Sequence, residues 1–148
     1  MIMKRYLKLL FISVILAMTV TACGYDASKG DELADKIKAD KALTQDEYAD
    51  CITLCEAFYN EELDKIESLD GLTRYEYHLK KRELRQDDDY QNSESDVSRI
   101  YRELSNAAGE DDEDKDELNP ENRKAFKSLK RLKEKVDKRW EKLSEKYN

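Results

Sequence analysis

Proline and histidine each occur once in this 148-residue chain, tryptophan once and glycine four times. So little Pro and Gly argues against a strand-and-turn architecture, which needs those residues at most reversals of direction. A single histidine, His78, leaves no second imidazole for a catalytic pair or a zinc site. There is no glycine-rich phosphate loop and no H-E-x-x-H pattern. Basic charge is also in deficit, with 27 Lys and Arg against 34 Asp and Glu. That balance disfavours nucleic acid as a partner, because phosphate binding needs a basic surface. Length allows one ordinary domain.

The apolar residues are concentrated at the start. Lys4, Arg5 and Lys8 precede a 12-residue run, Leu9 to Val20, and no acid occurs before Asp26. The run is short for a membrane span of about 20 residues and suits the apolar region of an export signal. It ends in Val20-Thr21-Ala22-Cys23. With this motif the segment resembles bacterial lipoprotein precursors, whose lipobox is an aliphatic residue, two small residues and Cys. The resemblance covers residues 1–23 and implies cleavage after Ala22 and acylation of Cys23. It also implies a lipid-anchored protein on the exported side of a cell membrane or outer membrane. Gly24 stands where an Asp would commonly signal inner-membrane retention, which favours the outer membrane in a Gram-negative source.

Without the signal, 126 residues carry 24 positive and 34 negative charges. Leu, Ile, Val and Phe make up only 21 of them, a poverty that warns of disorder unless periodicity overrides it. Periodicity does override it. Residues 23–30, with Gly24 and Gly30, read as a lipidated flexible tether. Leu33 and Ile37 suggest a short helix over 31–40. Thr44-Gln45-Asp46-Glu47 reads as a capping box ahead of a stripe through Tyr48, Ile52, Cys55, Tyr59, Leu63 and Ile66. Leu72, Tyr75 and Leu79 share the face of a further helix. Residues 87–93 are polar and aperiodic and read as a loop, and Val97, Ile100, Tyr101 and Leu104 form a short stripe. Residues 110–118 form an acidic linker. Asn119-Pro120-Glu121 is a strong helix start, and the stripe from Phe126 to Tyr147 extends that helix to the end. The expectation is an all-α bundle of three to four helices over residues 31–148, with a long basic C-terminal helix.

Charge is segregated. Residues 121–148 hold eleven basic and five acidic side chains, so the remaining body is strongly acidic. The preferred reading docks this basic helix on acidic helices of its own bundle; the alternative makes it a surface for an acidic partner, either anionic lipid or protein.

Candidate chemistry is thin. Cys51 and Cys55 lie one helical turn apart in an apolar stripe, either as core residues or as a disulfide pair. Their spacing is not C-x-x-C, and ligands for a metal site are too few. His78 reads as a helix-surface residue. Asp112, Asp114 and Asp116 are spaced like half a calcium loop, but Glu117 stands where Gly is required. Eight tyrosines, Tyr25 to Tyr147, suit packing at a wet core boundary or a groove for a peptide or glycan. No catalytic, cofactor-binding or metal residues are assigned.

The functional expectation is a non-enzymatic binding or interaction module needing no cofactor. It would be held at the membrane by its N-terminal lipid and would meet a protein partner, not nucleic acid. One form would be an immunity or inhibitor lipoprotein capturing a basic enzyme. The alternatives are a structural protein forming a homo-oligomer through its C-terminal helix, and a small redox or metal protein using Cys51 and Cys55.

Overall fold

The computed structural model describes residues 24–109 and 117–148. These residues are all-helical. The elements are α1 (Ala27–Lys38), α2 (Gln45–Leu69), α3 (Arg74–Gln86), α4 (Asp88–Ala107) and α5 (Pro120–Tyr147). Five helices replace the expected three to four, and each begins at a side chain that caps exposed amides.

The Thr44 hydroxyl accepts from the Glu47 amide at 3.2 Å, and Glu47 accepts from the Thr44 amide at 2.8 Å. Thr73 and Glu76 repeat this reciprocal cap on α3. Asp87 accepts from the Tyr90 amide at 2.9 Å, with Asp88 and Asp89 in the first turn of α4. The segment read as a loop is thus the start of a helix. Three consecutive acids favour the positive end of the helix dipole, and they need no apolar periodicity to do so.

The tether expected over residues 23–30 is also corrected within its described part, Gly24 to Gly30. The Tyr25 amide donates to Glu61 at 2.8 Å, and its ring meets Phe58 edge-on at 5.6 Å. Asp26 then caps α1. Gly30 is buried because the Tyr25 ring lies over it; a Cβ at Gly30 would stand 2.1 Å from the Tyr25 oxygen. Its lack of a side chain serves close packing, not chain freedom.

The longest pair, α2 and α5, run side by side in the same direction. Gln45 bonds Asn119 and Asn122, Glu62 meets Trp140, and Asp70 pairs with Lys146. Helix α4 runs antiparallel to α2, with Tyr90 at Glu62 and Glu103 near Tyr48 and Cys51, and Tyr101 meets Tyr59 edge-on. Helix α1 packs on α4 and α2, and α3 leans on α4. Ile100, Leu104, Phe126, Leu129, Cys51 and Cys55 fill the core. On α3 the buried aromatic is Tyr77, whereas Tyr75 is 77% exposed. Because α3 starts only at Arg74, Tyr77, Lys81 and Leu84 form its inward row at helical spacing. Tyr77 stacks on Tyr147 at 4.2 Å, and the Tyr147 hydroxyl donates to Leu72 O at 2.8 Å, closing the α2–α3 turn.

The acidic linker lies outside the described residues except at its end. There, Leu118 is buried and the Tyr48 hydroxyl donates to Glu117 at 2.9 Å. Among the described residues no helix is long and apolar enough to cross a membrane.

Candidate functional site

Cys23 and the signal segment lie outside the described residues. Cys51 and Cys55 are free thiols, both 0% exposed. Burial pushes Cys51 up to about 12, helped by Asp50 and Glu47, and pushes Cys55 upward too. A thiol held protonated is a poor nucleophile and a poor metal ligand. Among the described residues no group of three or more His, Cys, Asp or Glu could hold a metal ion. His78 is exposed, with Nε2 3.2 Å from the Tyr147 carbonyl oxygen.

The most developed polar cluster surrounds Glu62, a carboxylate only 3% exposed. It sits three residues after Tyr59 and four before Ile66, on the apolar stripe of α2. The Tyr90 hydroxyl donates to its Oε2 at 2.9 Å, and Trp140 Nε1 donates to the same oxygen at 3.0 Å. Lys65 reaches Oε1 at 3.2 Å and covers the Tyr90 ring, 4.5 Å from its centroid. One buried carboxylate therefore ties α2 to α4 and α5, with its lone pairs answered by donors. Sequence reasoning passed over Glu62, although an acid on an apolar stripe was the available signal.

Tyr90 and Trp140 also line a cleft of about 260 Å³ between α3, α4 and α5. Lys81, Leu84 and Arg85 contribute from α3, Glu94 from α4 and Ser144 from α5. The polar atoms of both aromatics are taken up by Glu62, and the Tyr90 ring also stacks on Phe58 beneath Lys65, which fixes the wall of the cleft. Lys81 contacts neutral oxygens there, the Tyr77 hydroxyl at 3.1 Å and Ser144 Oγ at 3.4 Å. The tyrosines thus divide into buried Tyr48, Tyr59, Tyr77 and Tyr147, half-buried Tyr25 and Tyr101 at the core edge, cleft-wall Tyr90 and exposed Tyr75.

The expected docking of basic α5 on acidic neighbours is met at Lys146 and Asp70. On the outward face it is not: Lys124, Lys127, Arg131, Lys135, Lys138 and Lys142 are exposed. The apolar stripe alone satisfies the helix's need for burial, leaving the opposite face to water. No protein-family model matches the chain, and neither a curated protein nor a solved structure shows significant similarity to it.

Proposed function

We propose that this chain is a lipid-anchored bacterial envelope protein, acylated at Cys23. It acts there as a non-enzymatic binding module that holds a short peptide segment of a partner protein. One observation carries the binding reading: Glu62 fixes Tyr90 and Trp140 as a rigid aromatic wall beside Lys81 and Arg85. Preformed aromatic surface with a few charged groups is the usual chemistry of a recognition cleft. The two cations suit a carboxylate, and Glu94 on the α4 side suits an amine. A peptide end carries such groups on a short, stackable frame.

The anchor reading rests on the Val20-Thr21-Ala22-Cys23 motif. It gains physical meaning from Tyr25, since one residue separates the docked Tyr25 from Cys23. Two residues span at most about 7 Å, so the acylated protein would sit against the bilayer without a spacer.

Trp140 is the only tryptophan, so its emission reports on the cleft. Titration with a tripeptide bearing a free C-terminal carboxylate is expected to shift that emission, and the C-terminal amide is expected to bind more weakly. Lys81→Gln with Arg85→Gln should abolish the response. An equal response to acid and amide, or none to either, rejects the cleft. Cys23→Ala should abolish acyl labelling; continued labelling rejects the anchor.

A further inference from the structure

We infer that the outward face of α5 is a docking surface for an acidic segment of a partner protein, and that it points away from the membrane. The orientation rests on the lipid-anchor reading above. Lys124, Lys127, Arg131, Lys135, Lys138 and Lys142 follow one another at steps of 3, 4, 4, 3 and 4. Helical geometry holds them within an arc of about 80° along a line about 27 Å long. All six are exposed, and among the described residues none is ion-paired. Asp137 and Glu141 fall outside that arc along one flank, Glu134 sits at its edge, and Glu145 lies beyond the end of the row. Arg131, Lys135, Lys138, Arg139 and Lys142 border one shallow depression of about 330 Å³, with Glu134 the single acid at its edge.

The position of the row selects its occupant. Tyr25 docks on the Phe58 and Glu61 side of α2. Helix α5 lies along the side of Leu63 and Ile66, where Lys135 and Arg139 share a small cavity with them and with Glu67. These are roughly opposite sides of α2. A bilayer holding Cys23 therefore lies on the far side of the molecule from the cationic row. A membrane-surface helix would also present apolar residues beside its cations, and those of α5 lie in or against the core, on the opposite side of the helix from the row. A straight row of cations without interleaved apolar side chains matches a complementary acidic segment.

The test uses the acylated full-length mature protein in phosphatidylcholine vesicles, with a fluorescent 20-residue glutamate-rich peptide as probe. Binding is expected to be saturable, at one peptide per chain. The combined variant Lys127→Gln, Arg131→Gln, Lys135→Gln and Lys138→Gln should lose at least tenfold in affinity, while Lys/Arg exchanges at the same positions retain it. Amine labelling should slow at Lys127, Lys135 and Lys138 but not at Lys29 or Lys65. Because these side chains are exposed, circular dichroism of the variant should match the parent. Equal binding by the variant overturns the proposal. So does protection of the row by phosphatidylglycerol vesicles in place of the peptide, or row-dependent self-association in sedimentation. An intact mass without acyl chains overturns the orientation, independently of peptide binding.

Discussion

Glu62 is removed from water by α2, α4 and α5, and its charge is tolerable there because donors from all three helices converge on it. Glu62→Ala would leave the Tyr90 hydroxyl and the Trp140 indole without an acceptor, at a cost of about 2–4 kcal/mol. Chemical denaturation should show that loss, and Trp140 emission should move to the red as its ring is released. An unchanged midpoint would mean that the carboxylate does not tie the helices together. Gly30 shows the opposite economy, a missing side chain. Alanine normally favours a helix over glycine by about 1 kcal/mol. At this position its Cβ would collide with the Tyr25 ring, so Gly30→Ala is expected to destabilise by about 1–2 kcal/mol. In a Tyr25→Leu background the same change should become stabilising, and a thermal-melt double-mutant cycle would measure the reversal.

At the scale of elements, the helix starts determine how much of the chain becomes helical. Asp87 converts a polar stretch into the first turn of α4 and so delivers Tyr90 to Glu62. Asp87→Ala should cost about 1 kcal/mol. Hydrogen exchange should quicken at Tyr90 and Gln91, with little change near Leu104. Uniform protection would show that packing alone holds that turn. The cap on α2 was legible because Thr44-Gln45-Asp46-Glu47 precedes a clear apolar stripe. Asp87 was not, because an N-cap followed by acids looks the same as a solvated loop until a tertiary partner draws the next turn in. Tyr75 and Tyr77 present the same difficulty, since two aromatics two positions apart compete for one face and the location of the helix start decides between them.

For the whole molecule, α1 is held on α4 across a pair of acids. Burial pushes Asp96 up to about 6 from its ordinary 3.8, and a hydrogen bond with Asp31 and the nearby Asp35 add to this, with Arg99 opposing. Between those values the folded chain binds more protons than the unfolded one. Stability attributable to this site therefore declines as pH rises from about 4 to about 6. Asp96→Asn should flatten that part of the pH profile and raise the melting temperature at pH 7. A profile as steep as the parent's would exclude Asp96 as its source. The same α1–α4 contact sets Tyr25 on the far side of α2 from α5, giving the molecule two unlike poles.

By itself the sequence determined the all-helical class and the positions of α2 and α5, because apolar spacing over 25 and 28 residues leaves little choice of face. It also determined the segregation of charge, which is a count along the chain. Tertiary structure decided what each polar residue does. It made Glu62 a buried tie, replaced the tether at Gly24–Gly30 with a docked Tyr25 and a close-packed Gly30, and left the α5 cations facing water. Those outcomes depend on which helices become neighbours, and local periodicity carries no information about partners distant in the chain.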